Sequence, residues 1–401
     1  MTGTTHAAIG FNPYDYGFHD DPYPTYRLLR DEAPLYRNEE LGFWAVSRYA
    51  DVMAGFKDSK RLSSAYGVSL DPAAYGPQAE KTMSFLAMDD PRHKRMRSLV
   101  SRGFTPRRVR ELEERIRELT RQYLEPALAA REFDFIGWFA GKLPMDVISE
   151  LIGVPAADRD RVRELADTVM HREEGVQDVP PAAMDAALEL LQYYADMIAE
   201  RKARRTEDLT SALLDVELDG DRLTDDEIIG FLFLMVVAGN ETTTKLLGNA
   251  LYWGWHNPDQ LAKPFADPER VPDWVEETLR YDTSSQIIAR TATEDIPWHG
   301  HTIQAGEVVL LLVGSANRDG RVFPHADSFD LDRVSSETIA SFGGGSHFCL
   351  GAHLARMEAR IALSELVGRI SGYEVDVANA RRVHSTNVRG FAGLPIRVET
   401  D

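Results

Sequence analysis

The stretch SFGGGSHFCLG, residues 341–351, decides the fold, because it holds the only cysteine in a chain of 401 residues. Three consecutive glycines precede Cys349, and a fourth glycine follows two residues after it. Glycine is used where the backbone turns tightly or comes close to another group. The sequence AHLARMEARIALSEL that follows has a helical pattern. Cys349 is therefore predicted at a helix N-terminus, where unpaired N–H groups favour an anionic sulfur.

Three interpretations of Cys349 arise from this setting. A lone cysteine is often a small, inert, buried hydrophobe. It can instead be a nucleophile activated by a base, with His347 and His353 as candidates. The third interpretation is a metal-bound thiolate. Inert packing does not need the glycines, and a glycine-rich loop that lets a flat group lie against the backbone suits a thiolate on haem iron.

Composition sets broad limits on the class of protein. Hydrophobic residues make up 43% and charged residues 27%, which is typical of a globular chain. The net charge of −19 argues against nucleic acid as a partner. No signal peptide is visible, and the longest apolar run, 228–239, is too short for a membrane span. The length allows one large domain or two ordinary ones. One cysteine cannot form an internal disulfide, so we expect a cytoplasmic location.

The pattern along the chain is mainly helical. Apolar residues at helical spacing predict helices over 107–124, ending before Pro126, and over 182–204. Strand signals are short and lie near Phe43 and between residues 287 and 313. Because strands and helices do not alternate, we predict a mainly α fold with small β-sheets rather than a doubly wound sheet.

One predicted helix is unusually long. A capping box at Thr224 begins it, and the helical pattern continues to His256. Its centre, AGNETTTK at 238–245, contains poor helix formers, so we expect the helix to loosen there. Glu241 has two interpretations: a core charge paired with a distant Lys or Arg, or, together with Thr242, a proton-handling pair beside a cofactor.

Four motifs in the right order resemble those of the cytochrome P450 superfamily. The segment FGGGSHFCLG, 342–351, resembles its haem-binding signature, in which a cysteine thiolate ligates the haem iron. Residues 238–243 resemble its oxygen-activation segment. Residues 277–280 resemble its Glu-x-x-Arg pair, and 329–333 resemble the segment whose arginine joins that pair. The resemblance covers essentially the whole chain and is strongest to the soluble bacterial members.

The resemblance implies a single domain over residues 1–401 with a cytochrome P450 fold, and with haem b between the long central helix and the Cys loop. Cys349 would be the metal ligand, supplying the axial thiolate. Glu241 and Thr242 would deliver protons. The positions that match haem-binding residues of the family, in addition to Cys349, are His93, Arg97, Arg290 and His347.

A third motif carries a structural expectation. Glu277 and Arg280 are one helical turn apart and could form an ordinary exposed pair. The resemblance implies instead that they form a buried network with Arg333, which holds the scaffold on the haem side.

The substrate side is less well defined by sequence. The resemblance places four apolar residues in the cavity: Leu234, Ala238, Ile287 and Ile288. Variable access segments are expected at 63–88 and 170–183. Many relatives have proline before the strand arginine, whereas this chain has Thr-Ser-Ser-Gln at 283–286, a departure whose role the sequence does not assign.

The predicted activity is a haem-thiolate monooxygenase that inserts one atom of O2 into a hydrophobic small molecule. Its electrons would come from a separate ferredoxin-type donor and reductase. The basic segment, 91–110, has eight Lys and Arg and no acid, so it is either a docking surface for that donor or a solvated helix face. A peroxide-driven peroxygenase and a non-catalytic haem-binding protein are the alternatives.

Overall fold

The structure of the protein is a computed structural model that describes residues 9–70, 75–170 and 179–400. Residues 71–74 and 171–178, which belong to the two predicted access segments, lie outside the described residues. None of the helices within the described ranges is long and apolar enough to cross a membrane.

The fold of the described residues is mainly helical, as predicted. The helices are α1 Tyr16–Asp20, α2 Tyr23–Glu32, α3 Tyr49–Lys57, α4 Ala79–Met83, α5 Arg92–Gly103, α6 Pro106–Glu111, α7 Glu113–Ala130, α8 Leu143–Ile152, α9 Arg159–Met170, α10 Pro181–Ala203, α11 Leu209–Asp215, α12 Asp225–His256, α13 Pro258–Ala266, α14 Val271–Tyr281, α15 Val313–Ala316 and α16 Ala352–Val367.

The strands are short and form small sheets. They are β1 Leu35–Asn38, β2 Phe43–Val46, β3 Leu62–Ser63, β4 Glu132–Asp134, β5 Glu217–Leu218, β6 Asp221–Arg222, β7 Ile287–Ala292, β8 Ile296–Trp298, β9 His301–Ile303, β10 Val308–Leu312, β11 Gly372–Val375, β12 Arg381–Arg382, β13 Phe391–Gly393 and β14 Pro395–Glu399. The largest sheet has the order β1-β2-β10-β7-β3, in which only β2 and β10 pair in parallel.

Helix α12 is the long helix that the capping box predicts. Thr224 caps it, and α12 packs against α8, α10, α14 and α16, so it passes through the main core. The expected loosening at 238–245 is wrong, because α12 continues without a break through that segment. Its polar residues find partners on neighbouring elements, as when the Thr244 hydroxyl donates to the Ala140 carbonyl at 3.0 Å.

The predicted helix over 107–124 starts within one residue of the observed position, but it is divided in two and ends later than predicted. The chain instead forms α6, turns at Leu112, and continues as α7 beyond Pro126 to Ala130. Pro126 removes one helical hydrogen bond, but it lies close to the end of α7. The fully buried Leu124 and Ala127 on either side hold this last turn against the core.

Candidate active site

The Cys349 loop lies between two short 3₁₀ turns and helix α16. The turns span Ala340–Phe342 and Gly345–His347. The backbone N–H of Cys349 donates to the Phe342 carbonyl at 3.0 Å, which closes the loop just before α16 begins. The predicted position of the sulfur near a helix N-terminus is confirmed.

The Cys349 thiol has opposing electrostatic influences. Burial is the larger influence and raises the pKa of the thiol overall, whereas the backbone N–H groups of Gly351 and Ala352 and the charges of Arg97 and Arg356 act in the opposite direction. The side chain is exposed although the surrounding protein desolvates the thiol, so the sulfur faces an internal space rather than open solvent. The donors and cations offset part of the cost of a negative charge on this sulfur, and a bound metal ion would favour the thiolate further.

Two glycines before Cys349 allow close packing against α3, whereas the sequence predicted that they make room for a flat ligand. Gly343 and Gly345 have φ values of +69° and +63°, in the left-handed region. A Cβ on Gly345 would lie 2.5 Å from the Phe56 carbonyl oxygen of α3. These glycines therefore let the loop pack against α3, and this packing accounts for them without a flat ligand.

A buried histidine, His93, stacks on the half-buried His347 of the Cys349 loop. The rings of His93, on α5, and His347 have centroids 3.9 Å apart. Nε2 of His93 and Nδ1 of His347 are buried without a hydrogen-bond partner, and Nδ1 of His93 lies 3.6 Å from Oδ1 of Asp90, beyond hydrogen-bond distance. Burial lowers both pKa values, that of His347 to about 3, with further lowering by nearby cations. The two rings are therefore neutral, with polar atoms available to an acceptor or a donor.

Two arginines accompany these histidines. Arg97 donates to the Phe348 carbonyl at 2.6 Å, and Arg290, on β7, donates to the Ala289 carbonyl at 2.8 Å. Neither guanidinium forms an ion pair with a carboxylate of the described residues. Burial lowers the pKa of Arg290 to about 10, and the charge of Asp89 opposes that shift. Two buried or half-buried cations without a paired anion mark a place for an anionic ligand.

Glu241 and Thr242 lie on α12. The Thr242 hydroxyl donates to the Ala238 carbonyl, one turn earlier, at 3.0 Å. Oε1 of Glu241 lies 2.9 Å from Nζ of Lys245. Of the two interpretations of Glu241, a paired charge is therefore present, but its partner is one turn away on the same helix rather than distant.

The four predicted pocket residues do not share one environment. Ala238 is exposed one turn before Thr242, and Leu234 is buried one turn earlier still. On β7, Ile288 lies on the same face as Arg290, because side chains alternate along a strand. Ile287 lies on the opposite face and is 2% exposed within a separate apolar cluster. Its placement favours core packing.

Comparisons with known proteins decide the family. A family model described as "Cytochrome P450" matches residues 269–393. A Mycobacterium tuberculosis protein named putative cytochrome P450 123 is 65% identical over 388 residues, covering 97% of this chain and 96% of its own length. The chain belongs to the cytochrome P450 family. As a P450, it is a haem-thiolate monooxygenase in general terms, and the predicted family is confirmed.

Further relatives support the fold. A P450 named vitamin D(3) 25-hydroxylase, from Pseudonocardia autotrophica, is 38% identical and covers 94% of both chains. The Bacillus subtilis bacillaene polyketide synthase P450 structure has a TM-score of 0.89 at 33% identity, covering 97% of this chain and all of that one. A Bacillus megaterium P450 in complex with corticosterone has a TM-score of 0.86 at 32% identity, covering 95% and 99%. The predicted P450 fold is confirmed.

The residues around Cys349 fit the haem of a P450. The family holds haem through a cysteine thiolate, and the thiol here faces an internal space. Haem carries two carboxylates, and the unpaired nitrogens of His93 and His347 and the unpaired charges of Arg97 and Arg290 would match them.

The P450 Glu-x-x-Arg motif forms the predicted buried network. Arg280 contacts Glu277 through two parallel hydrogen bonds of 2.7 and 2.8 Å, and Arg333 contacts the same carboxylate at 3.2 Å. Arg280 also donates to the backbone carbonyl of Asn317. The side-chain oxygen of Asn317 accepts a hydrogen bond from the backbone N–H of Ala340 at 2.7 Å. The network therefore reaches the start of the Cys349 loop.

The Thr-Ser-Ser-Gln departure at 283–286 connects two elements of the P450. The Ser284 hydroxyl donates to the Thr242 carbonyl of α12 at 2.7 Å, which a proline could not do. The backbone N–H groups of Gln286 and Arg389 form reciprocal bonds across the Ser285–Val388 bridge to the carbonyls of Asn387 and Ser284, both at 2.8 Å. Ser284 thus ties this segment to the centre of α12.

Sequence reasoning missed three residues of this site. Lys245 stood in the quoted segment AGNETTTK, and its spacing of four from Glu241 is the signal that could have identified the pair. Asp167 of α9 interacts electrostatically with Glu241, and Asn317 joins Arg280 to the Cys349 loop. Neither has a local sequence signal, because both act across large separations in the chain.

Proposed function

We propose that this P450 uses haem b, bound through Cys349, to insert one atom of O2 into an apolar organic molecule with electrons from a ferredoxin-type donor and a reductase. The observation that carries the proposal is the cluster beside the thiol of two histidines with unbonded ring nitrogens, His93 and His347, and two arginines without a paired carboxylate, Arg97 and Arg290. Haem bound by a thiolate supplies the cleavage of the O–O bond. A single cytoplasmic domain over 1–401 is part of the proposal.

Different residues of the chain would ligate the iron, bind the propionates and transfer protons. Cys349 would ligate the iron, and the four basic residues would bind and orient the propionates by charge and hydrogen bonding. Glu241 and Thr242, on α12, would hold and pass protons toward the reacting oxygen. The retained Glu–Thr pair favours the O2-driven reaction over a peroxide-driven one, which needs no such delivery.

Thr242→Ala tests the proton-delivery role. It should leave substrate affinity unchanged and divert most reducing equivalents to hydrogen peroxide, because the alanine has no hydroxyl to pass a proton. General acid–base groups contribute about 10²-fold or more. The measurement compares product formed with reductant consumed, and Thr242→Ser, which keeps the hydroxyl, is the matched control. Undiminished coupling in the alanine variant would contradict the role.

The proposed substrate is apolar and contacts Leu234, Ala238 and Ile288, with Ile287 left out because it packs in a separate cluster. Two relatives guide the first trials: the Bacillus megaterium P450 has structures in complex with corticosterone and with testosterone, and the Pseudonocardia protein is named a vitamin D(3) 25-hydroxylase. These three compounds are the first to titrate spectrally.

Turnover under labelled dioxygen should then place one labelled oxygen atom in the product, and a product without it would contradict the monooxygenase proposal.

The proposed electron-donor surface lies beside the Cys349 loop. A cleft of about 630 Å³ there is lined by residues that include Arg110, His353 and Leu350, next to the cysteine. Within the basic segment, Arg92 and Arg107 are paired with Glu80 and Glu111. Because these two arginines are neutralised, fewer than the eight Lys and Arg of the basic segment contribute net positive charge to this surface.

Charge reversal tests this surface. Arg102→Glu and Arg110→Glu should each slow reduction by an acidic ferredoxin by about tenfold at low salt, because complementary charge speeds encounter. Stopped-flow reduction at low and high salt measures this, and the difference should shrink as salt screens the charges. Arg397→Glu, an exposed arginine on β14, is the control. Equal rates in all three variants at low salt would contradict the docking proposal.

A further inference from the structure

A buried ion pair lies beside Thr242 on α12. Nζ of Lys245 is 2.9 Å from Oε1 of Glu241, and the two side chains are only 6% and 17% exposed. Removing two charges from water costs several kcal/mol per ion, so a pair of this kind persists only where its geometry is good and other bonds complete it. Lys245 is therefore a specific partner of the proposed proton carrier.

Lys245 is held firmly on its other side. Its ammonium donates to the Phe391 carbonyl of β13 at 3.1 Å. A Cβ added at Gly390 would lie 2.5 Å from Cβ of Lys245, so the lysine stem packs directly on the backbone there. The ammonium thus has a fixed position between β13 and α12, and it fixes the carboxylate that it contacts.

The contact leaves part of the Glu241 carboxylate available. Lys245 engages Oε1, and the second oxygen, Oε2, retains its acceptor capacity. Glu241 is the residue directly before Thr242, whose hydroxyl bonds to the Ala238 carbonyl. A proton carrier is effective only when it lies within hydrogen-bond reach of its partner, directly or through one water. Because Lys245 holds Oε1 of Glu241, it also limits the positions that Oε2 can occupy as a proton carrier.

A second charged group reaches Glu241 from α9, which packs against α12. Burial, and then the charge of Glu241, raise the pKa of Asp167 to about 6, whereas Arg163 and Lys245 act to lower it. The carboxyl of Asp167, on α9, therefore interacts electrostatically with both Glu241 and Lys245 of α12. Removal of Lys245 would therefore take away a positive charge that offsets the repulsion between the two carboxylates.

We propose that Lys245 is a positioning residue that orients Glu241 for proton transfer to Thr242. The inference rests on the proposed monooxygenase function and adds a residue to it. Without the ammonium, the Glu241 carboxylate would lose its anchor and would be repelled by Asp167. Proton delivery would slow, and reducing equivalents would leave as hydrogen peroxide.

A four-variant cycle on the full-length haem protein tests the inference. It consists of the unchanged chain, Lys245→Met, Glu241→Gln and the double variant, each reduced by a surrogate bacterial ferredoxin and reductase with corticosterone as the trial substrate. Lys245→Met should lower the amount of product formed per reductant consumed by about tenfold. This loss is smaller than the roughly 10²-fold contribution of a general acid–base group itself. In the Glu241→Gln background the same change should have no further effect, because no carboxylate remains to be positioned.

The control and the second readout separate positioning from a structural role. Lys202→Met removes an exposed pair with Asp225 at the start of α12 and should leave coupling unchanged. The infrared carboxylate band of Glu241, isolated by subtracting the Glu241→Gln spectrum, should shift in Lys245→Met. Lys245→Gln, which keeps a donor for the Phe391 carbonyl, repeats both tests should the methionine variant fail to fold.

Two results would overturn the inference. One is an equal loss of coupling from Lys245→Met with and without Glu241. The other is an unchanged infrared band together with unchanged coupling. If the protein without substitutions consumed no reductant with any substrate, that result would contradict the proposed function instead. The infrared comparison would still decide whether Lys245 orients Glu241.

Discussion

Arg280→Ala is expected to yield a chain that neither folds stably nor retains haem. The guanidinium is 2% exposed and makes two bonds to Glu277. It also donates to the carbonyls of Asn317, Ala326 and Ser328. Its loss leaves the Glu277 carboxylate and three carbonyls buried without this donor. Breaking a buried pair in this way costs about 3–5 kcal/mol, a large share of the roughly 5–15 kcal/mol by which domains are stable.

The measurement is a urea unfolding curve together with the ratio of haem absorbance to protein absorbance. Arg161→Ala is the matched control, because Arg161 forms an exposed pair with Glu189 whose loss should cost at most about 1 kcal/mol. An Arg280→Ala protein with the unfolding midpoint and haem content of the control would show that the network is dispensable.

The second large effect is expected for Cys349→Ala. This variant removes the only sulfur that a cysteine can supply in the chain. It should retain the fold, because the bond that closes the loop, from the Cys349 N–H to the Phe342 carbonyl, is made by the backbone. It should lose the shifted carbon monoxide band of a thiolate-bound ferrous haem, and with it all coupled turnover.

The carbon monoxide difference spectrum and far-ultraviolet circular dichroism measure these two properties separately. Ser346→Ala, which changes a neighbouring side chain of the same loop, is the control and should keep the band. A Cys349→Ala protein that still gave the thiolate band would show that another group ligates the iron.

Sequence patterns predicted the parts of this fold in which one local rule dominates. The capping box at Thr224 and the apolar run after it gave α12 with its observed end at His256, because capping and burial agree along its length. The loop before α16 was predicted because glycines precede a lone cysteine and a helical pattern follows it. The Glu277–Arg280 spacing gave the pair, and the resemblance gave its burial.

The parts that the sequence did not predict depend on contacts between distant segments. The glycines at 343 and 345 were assigned to a ligand, although the backbone of α3 at Phe56 is what requires Gly345. The face on which Ile287 lies depends on the pairing of β7 with β10, which no local pattern specifies. The centre of α12 was expected to loosen because propensity ignores the partners that tertiary packing gives to Thr244 and Lys245.

Iron X-ray absorption on the purified full-length protein, loaded with haem, tests the central claim most directly. The account predicts one sulfur atom in the first coordination shell of the iron, supplied by Cys349. A first shell of nitrogen and oxygen atoms alone, in a protein that has bound its haem, would contradict the account.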